Sequence, residues 1–212
     1  MKTSIIVTSY NYGPYIERCL RSCMNQKMTD GTNEIIVVDD CSTDNTLDII
    51  KKFERFPNVH VIQNETNQGV SEAANIGIRA SVGQYVVRVD ADDYISEWFI
   101  FFLRSYLEAN HDAFGVACDY QLVDQKENFI QREAASEKPV SCGIMYRRDL
   151  LAAQGLYNSD YRHCEEEELR RRVGDGYKIY HLRMPLYRYR IHGDNKTSST
   201  EYESVRQEFA TK

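Results

Sequence analysis

The sequence QYVVRVDADDYIS at residues 84–96 combines an apolar run with a cluster of three acidic side chains. Three of the four residues from 86 to 89 are valine, which predicts a buried β-strand. Asp90, Asp92 and Asp93 follow at the end of this strand. Carboxylates so close together repel one another, and burying them without a partner would be costly. The stretch therefore predicts a fold in which positive charge reaches the end of this strand.

Length and composition limit the class of protein. The chain has 212 residues, of which 42% are hydrophobic and 27% charged, as is usual for a soluble globular domain. Its net charge of −6 argues against nucleic-acid binding and is compatible with a site for a divalent cation. There is no apolar run of the roughly 20 residues that span a membrane, and the N-terminus lacks a signal-peptide layout. We therefore expect a cytoplasmic protein with reduced cysteines, and peripheral association with the inner face of the membrane stays open.

Strands and helices alternate through the first half of the chain. Four apolar runs indicate strands, and a helical pattern follows each of them. The strands are predicted at residues 4–9, 34–40, 59–64 and 84–90. This order predicts an α/β fold, a three-layer α/β/α sandwich with a mostly parallel central sheet. In the less regular second half we expect two separate strands at 177–182 and 186–192, and a polar loop at 123–139.

Polar residues follow each of the four predicted strands, at the sheet edge where ligands bind in open parallel sheets. They include Thr8 and Tyr10 after the first strand, Asp39 and Asp40 after the second, Asn64 and Asn67 after the third, and the aspartates at 90–93 after the fourth. A capped turn could by itself account for residues 39–44. Four polar sets that converge on one edge of a sheet instead predict a binding pocket.

Four segments resemble the family 2 glycosyltransferases of the GT-A fold. They are VTSYNYGPYIERCLRSCMNQ at 7–26, EIIVVDDCSTDNT at 34–46, NQGVSEAANIGI at 67–78 and VVRVDADD at 86–93. The resemblance implies an inverting transfer of a sugar from a nucleotide-diphosphate sugar donor, expected to be UDP-linked, to an acceptor hydroxyl. By family habit, we expect the acceptor to be a glycan or glycolipid in the assembly of surface polysaccharides or glycoconjugates.

The resemblance also implies roles for the aspartates after the fourth strand. Asp92 is expected to bind Mn²⁺ or Mg²⁺, and Asp90 to lie near the ribose of the donor. Asp93 is expected to support Asp92 or to cap the helix that follows. A divalent cation can neutralise the charge that grows on the diphosphate as the sugar leaves. A metal ion is thus the predicted source of positive charge at this strand end.

The nucleotide pocket is expected to draw on the first three strands as well. By resemblance, Asp39 accepts a hydrogen bond from the base, and Thr8, Tyr10 and Asn67 line the same pocket. The chain departs from the family pattern at Ala74, where an arginine often precedes the asparagine of the segment A-R-N-x-G. One cationic contact to the nucleotide is therefore expected to be absent, which leaves the preferred base open.

The segment GLYNSDYRHCEEEELRRRV at 155–173 resembles the acceptor side of the family, in which an acidic pair opens a helix. Inverting transfer needs a carboxylate that takes the proton of the acceptor hydroxyl. Position in the motif favours Glu166 as this base, with Glu165 as the alternative and Asp160 after them. Acidic residues are also favoured at a helix N-terminus by the helix dipole alone, so a solvated helix cap is the competing interpretation.

The segment LYRYRIHGDNKTS at 186–198 resembles the family sequence Y-R-x-H, which closes over the donor phosphates. We expect His192 to ligate the metal or to contact the diphosphate, and Arg190 to add positive charge near the phosphates. Together these expectations describe a single domain over residues 1–212. Its parts are a nucleotide-binding half at 1–95, an acceptor-side half at 96–194 and a polar tail at 195–212.

Three other classes of protein fit parts of the pattern. A phosphotransferase of the haloacid-dehalogenase type also has an Asp-x-Asp at a strand end, but there it follows the first strand. A sugar nucleotidyltransferase would need a Gly- and Arg-rich loop after the first strand, and TSYNYGPY is not such a loop. A non-catalytic sugar-nucleotide-binding module would keep the pocket without a base, and an assay of glycosyl transfer would separate it from an enzyme.

Overall fold

The computed structural model describes residues 3–29, 31, 33–161, 164–193 and 195, so the predicted polar tail from 196 onward lies outside the described residues. The strands in this part of the chain are β1 (Thr3–Ser9), β2 (Asn33–Asp39), β3 (Val59–Gln63), β4 (Tyr85–Asp90), β5 (Tyr94–Ile95), β6 (Ala113–Val123), β7 (Phe129–Glu133), β8 (Ile144–Arg147) and β9 (Lys178–Arg190). The α-helices are α1 (Ile16–Met24), α2 (Thr46–Lys51), α3 (Val70–Ala80), α4 (Phe99–Ala109), α5 (Arg148–Ala153) and α6 (Glu165–Val173).

These strands belong to one sheet in the order β3-β2-β1-β4-β8-β6-β9-β5, and β7 extends from β6. Strands β1 to β4 pair in parallel, as do β6 and β9. Strand β8 joins the two halves of the chain through antiparallel pairs with β4 and β6. The predicted α/β fold is confirmed, and every antiparallel pair among the described residues involves a strand of the second half.

Side chains of the parallel strands alternate between two faces, and each face packs against helices. The cluster on one face joins β1 to α1 and α4 and includes Ile5, Val7, Ile16, Leu20 and Phe99. The cluster on the other face joins β1 to α3, α5 and α6 and includes Ile6, Ala74, Ile78, Leu151 and Leu169. Helices thus cover both faces of the sheet, which is the predicted three-layer arrangement.

The second half differs from the sequence prediction in two places. Strand β9 is continuous where two strands are predicted, and its register against β6 shifts between Cys118 and Asp119, opposite Leu182 and Pro185. Such an irregularity lets a strand continue past a proline, which has no N–H to donate. Residues 129–133 form β7 at the edge of the sheet, where a polar loop is predicted. Phe129 and Ile130 are apolar but exposed, and the other three side chains are polar, so the sequence has no alternating buried pattern there.

The register of the parallel strands aligns the predicted polar residues at one edge. Thr8 lies opposite Asp90 across β1 and β4. Ser9 lies opposite Asp39 across β1 and β2. Each of these four residues is the last or the last but one of its strand. The polar sets of neighbouring strands are therefore brought together at the carboxyl edge of the sheet.

Two general features concern membrane-spanning helices and the cysteines. Among the described residues, there is no helix long and apolar enough to cross a bilayer. None of the six cysteines, all of which lie in the described residues, forms a disulfide, and all except Cys41 are buried.

Candidate active site

A pocket opens at the carboxyl ends of β1 and β4. It is small: the centres of water-sized molecules can occupy about 90 Å³ of it. It is lined by Thr8, Ser9, Tyr10, Tyr12, Asp40, Val70, Ala73, Asp90, Asp92, Asp93, Tyr189 and Asn195. Four residues that the sequence predicts for the nucleotide and the metal therefore meet in this pocket, namely Thr8, Tyr10, Asp90 and Asp92.

The two predicted metal residues, Asp92 and His192, are in direct contact although 100 positions separate them in the chain. Nε2 of His192 lies 2.9 Å from Oδ2 of Asp92. The imidazole ring packs against Tyr15, with 4.9 Å between the ring centroids, and meets Tyr12 edge-on at 6.1 Å. A carboxylate is a ligand that Mg²⁺ and Mn²⁺ favour, and imidazole binds many transition metals. The two side chains therefore fit the predicted divalent cation.

Asp93 is held by protein groups on both of its oxygens. The hydroxyl of Tyr187 donates a hydrogen bond to Oδ2, and the backbone N–H of Arg190 donates one to Oδ1, each at 2.8 Å. Burial raises the pKa of Asp93 well above its ordinary value, and the charges of Asp92 and Asp90 raise it further. Asp93 therefore anchors the strand end to β9.

A second set of side chains deserves comparison as a metal site. Ligand atoms of Asp90, Asp93 and Cys142 lie within 4.8 Å of one another. Burial raises the pKa of the Cys142 thiol well above its ordinary value, and a thiol is a soft ligand that Mg²⁺ and Mn²⁺ do not favour. Since Asp93 also accepts two hydrogen bonds from the protein, this set is a poorer cation site than Asp92 and His192.

The end of β2 places Asp40 in the pocket and Asp39 behind it. Asp39 is fully buried, and its Oδ2 accepts a hydrogen bond from the backbone N–H of Ser42 at 3.1 Å. Its Oδ1 has no hydrogen-bond partner in the described part of the chain. Asp40 accepts hydrogen bonds from the backbone N–H groups of Gln68 and Gly69, at 2.9 and 2.8 Å. The pocket-lining acid of this strand end is thus Asp40, for which the sequence analysis assigned no role of its own.

Asn67 and Ala74 do not line the pocket. The side-chain amide of Asn67 donates a hydrogen bond to the backbone carbonyl of Asp40 at 3.2 Å, so Asn67 shapes the loop around that residue. Ala74 belongs to α3 and is fully buried in the core. The preceding residue, Ala73, is the alanine that lines the pocket. The alanine in the arginine position of the family pattern therefore fills the core and offers no charge to a ligand.

Arg88 brings positive charge to the strand end from inside the protein. Its side chain is only 4% exposed, and its Nε lies 3.0 Å from Oδ1 of Asp90. Its Nη1 donates a hydrogen bond to Oε1 of Glu165 at 2.6 Å. Burial acts to lower the pKa of Arg88, but the charges of Asp90 and Glu165 outweigh it and raise the pKa well above its ordinary value. The sequence does not mark Arg88 as a source of this charge, because its partner Glu165 is 77 positions away.

The two candidate bases are the first residues of α6 and have different partners. Glu165 is paired with Arg88, whereas Oε1 of Glu166 accepts hydrogen bonds from the hydroxyl of Tyr146 and from Nε of Arg170, the latter at 3.0 Å. Oε2 of Glu166 has no hydrogen-bond partner among the described residues. Burial raises the pKa of Glu166, which suits a general base that works near neutral pH. The third candidate, Asp160, is exposed.

The guanidinium of Arg190 is buried and bound within the protein. Nε donates a hydrogen bond to the backbone carbonyl of Asp92 at 2.8 Å, and Nη1 donates one to the carbonyl of Gln125 at 3.1 Å. Nη2 pairs with Oε1 of Glu127 at 3.3 Å. Arg190 therefore supports the turn that carries Asp92, and a direct contact with donor phosphates would require these bonds to open.

Comparison with known proteins finds glycosyltransferases that are similar to this chain. TarS of Staphylococcus aureus, a poly(ribitol-phosphate) beta-N-acetylglucosaminyltransferase, is 38% identical over 112 residues, which are 52% of this chain and 20% of TarS. An uncharacterized glycosyltransferase of Nostoc sp. is 30% identical over 240 aligned positions, covering 98% of this chain and 70% of that protein. The crystal structure of TarS 1–349 in complex with UDP-GlcNAc has a TM-score of 0.83 at 24% identity, covering 100% of this chain and 66% of the TarS chain.

The sequence match to TarS covers about half of this chain, whereas the match to the family model covers most of it. The sequence match to TarS covers only a fifth of the length of TarS. The structural likeness to TarS confirms the predicted fold. The sequence model of the family described as Glycosyl transferase family 2 matches residues 4–192, which is most of the chain. The chain belongs to glycosyl transferase family 2.

Proposed function

We propose that this chain transfers a sugar, with inversion, from a UDP-linked sugar to a hydroxyl group of a glycan or glycolipid. The observation that carries the proposal is the contact between Asp92 and His192 at 2.9 Å, because it joins the pocket at the strand ends to the segment after β9. The predicted donor is supported by the structural neighbour TarS, which was solved with UDP-GlcNAc.

In this proposal Asp92 and His192 hold Mn²⁺ or Mg²⁺ beside the donor diphosphate. When bound, the cation neutralises negative charge on the diphosphate that leaves. Both residues are only 7% exposed, and charge interactions are stronger where water is excluded. Arg190 keeps Asp92 in place through the hydrogen bond to its backbone carbonyl.

The nucleoside would occupy the pocket between the ends of β1 and β4. Thr8 and Tyr10 line this space, and Asp90 would bind the ribose. Asp39 would accept a hydrogen bond from the N–H of the base through Oδ1, the oxygen without a partner among the described residues. Because Asp39 is fully buried, the loop after β2 must shift for the base to reach it. Asp40, which already lines the pocket, is the alternative acceptor.

Glu166 would act on the acceptor as general base. As the acceptor oxygen attacks the anomeric carbon, the hydroxyl proton moves to the glutamate, and the bond from the sugar to the diphosphate breaks. Attack from the face opposite the leaving group inverts the anomeric configuration. Tyr146 and Arg170 both bind Oε1 of Glu166, which leaves Oε2 to take the proton. Because Glu166 is only 2% exposed, the surrounding side chains must shift for the acceptor to reach it.

The class of acceptor follows from the relatives. TarS acts, by its name, on poly(ribitol-phosphate), which is a polymer. We extend to this chain only the broader class, a hydroxyl group on a surface polysaccharide or glycoconjugate under assembly. Such an acceptor would bring the chain to the inner face of the membrane, with residues 1–95 binding the nucleotide and residues 96–194 facing the acceptor.

A thermal-shift screen of nucleotide diphosphates and sugar nucleotides, with and without Mn²⁺, tests the donor. A ligand at one hundred times its Kd stabilises a protein by about 2.7 kcal/mol. We expect the largest shift with a UDP-sugar and Mn²⁺ together, followed by transfer of labelled sugar to a member of an acceptor pool. Metal-dependent binding with no transfer to any acceptor would instead indicate a sugar-nucleotide-binding module. A chain that binds none of these ligands would refute the proposal.

A further inference from the structure

Arg88 has no part in the reaction as described above, yet its position is costly. It lies within β4 with its side chain 4% exposed, in a run whose neighbours Val87 and Val89 belong to the core. A charged side chain in such a place is tolerated only when its partners repay the loss of hydration. The reason for its presence must therefore lie in the groups that it contacts.

Those groups belong to opposite sides of the site. Nε of Arg88 lies 3.0 Å from Oδ1 of Asp90, which lines the donor pocket. Nη1 of the same guanidinium donates a hydrogen bond at 2.6 Å to Oε1 of Glu165, the first residue of α6 and 77 positions away in the chain. The ring of Tyr157 lies 5.8 Å from the guanidinium carbon. One rigid planar group thus joins the end of β4 to the start of α6.

We propose that Arg88 is a positioning residue that fixes the first turn of α6, and with it Glu166, relative to the donor pocket. The inference rests on the proposed function, since it supposes that Glu166 acts on an acceptor beside a bound donor. Glu165 and Glu166 are adjacent at the start of one helix, so restraint of the first sets the place of the second. Tyr146 restrains Glu166 from β8 through its hydroxyl, and Arg88 restrains Glu165 from β4.

A purely structural interpretation would be that Arg88 only neutralises buried carboxylates. The two interpretations differ for lysine, which keeps the charge but lacks the planar fork that meets two carboxylates at once. If charge alone matters, Arg88→Lys should transfer sugar normally. If the fork positions α6, Arg88→Lys should keep the fold and the donor site but lose rate.

The first experiment compares Arg88→Lys with the wild-type chain by calorimetric titration of UDP in Mn²⁺ and by measurement of kcat for sugar transfer. We expect Kd for UDP to stay within about threefold, and kcat to fall roughly 10²-fold, the effect of a displacement of about 1 Å in an active site. Arg79→Lys is the matched control, because Arg79 pairs with Glu72 at 2.8 Å on the exposed side of α3. It should leave both quantities unchanged.

The second experiment removes both members of the buried pair, so that neither charge is left alone. Kinetic constants of Arg88→Met, Glu165→Gln and the double variant form a double-mutant cycle. If Arg88 acts through Glu165, the double variant should lose no more activity than Arg88→Met alone. Losses that multiply, or an Arg88→Lys variant within threefold of the wild-type kcat, would overturn the inference. Absence of transfer by the wild-type chain would refute the proposed function itself, and the wild-type control separates that failure from the others.

Discussion

The donor side and the acceptor side of the site hold their carboxylates in different ways. On the donor side, backbone groups close to the strand ends bind Asp40 and Asp93, through the N–H groups of Gln68, Gly69 and Arg190. On the acceptor side, side chains from distant strands hold the two glutamates: Arg88 of β4 binds Glu165, and Tyr146 of β8 binds Glu166. Asp40 and Asp93 are therefore held partly by the backbone, with Tyr187 as a side-chain partner of Asp93, whereas the two glutamates depend on individual side-chain pairs.

This difference predicts a division of effects among variants. Substitutions of the two glutamates should change the transfer rate and leave the nucleotide site intact, since neither glutamate lines the donor pocket. Substitutions on the donor side should change nucleotide affinity first. The predictions below use this division, and the largest expected effect comes first.

Glu166→Gln should reduce the rate of sugar transfer by roughly 10²–10⁴-fold, the usual contribution of a general base. UDP binding in Mn²⁺ should stay almost unchanged, because Glu166 contacts Tyr146 and Arg170 and does not line the donor pocket. Steady-state kinetics and calorimetry on the same preparation measure the two effects.

Glu165→Gln is the matched variant, because it removes one charge from the same helical turn. It should lose roughly tenfold in rate, less than Glu166→Gln, since it disturbs position without removing the base. Small and equal losses in both variants would mean that neither glutamate is the base and that the buried pair is structural. The base would then have to be sought elsewhere, beginning with the exposed Asp160.

Asp92→Asn should abolish the dependence of UDP binding on the metal. The expected loss of affinity in Mn²⁺ is at least the 10- to 100-fold that removal of a supporting residue costs at metal sites. Affinity in the presence of a chelator should be unaltered, because the variant removes only the metal contact. Asp48→Asn on the exposed surface of α2 provides the control. A variant that still binds UDP more tightly with Mn²⁺ would locate the metal elsewhere, with Asp90 and Asp93 as the nearest carboxylates.

Asp39→Ala should weaken UDP binding by about 1–3 kcal/mol, the range for a hydrogen bond to a charged group. The wild-type chain should also prefer UDP to ADP, because the imide N–H of uracil donates to a carboxylate, whereas the corresponding N1 of adenine is an acceptor that a carboxylate repels. Asp40→Ala separates the two acids, since Asp40 accepts hydrogen bonds from the loop before α3 and its loss should also lower thermal stability. Equal affinity of the wild type for UDP and ADP would exclude the role assigned to Asp39.

The smallest expected effect is a change in the pH dependence of stability. Burial raises the pKa of Glu166 from its ordinary value of 4.5 in the folded chain. The folded state then binds more protons than the unfolded state above pH 4.5, so the stability linked to this group is present below that pH and is lost as the pH rises through the folded pKa. Glu166→Gln should therefore gain stability relative to the wild type as the pH rises. Urea unfolding at several pH values measures this, with the exposed Glu54→Gln as control. An unchanged difference across the pH range would contradict the buried state of Glu166.

Short motifs indicate which side chains come together on the donor side of the site. Alternation of apolar strands with helices predicts the parallel order of β1 to β4, and this order places Thr8 beside Asp90. The resemblance at Asp92 and His192 named two side chains that the fold brings within 2.9 Å. Strand register and chain order determine where the strand ends meet, while the roles of these side chains stay predictions.

The remaining features depend on contacts that no local pattern contains. Arg88 lies among valines, and its partner Glu165 is 77 positions away, so only the folded sheet reveals their pairing. Asp39 and Asp40 are adjacent in sequence, but the end of the strand buries the first and exposes the second to the pocket. The guanidinium of Arg190, predicted near phosphate, is instead bound within the protein by a carbonyl of the Asp92 turn.

Asp92 and His192 are proposed to bind a divalent cation that holds the diphosphate of the donor. Calorimetric titration of UDP into the wild-type chain, once with Mn²⁺ and once with a chelator, tests this claim most directly. UDP should bind at least tenfold more tightly with Mn²⁺ than with the chelator, a difference that corresponds to about 1.4 kcal/mol. Equal affinity under the two conditions would contradict it.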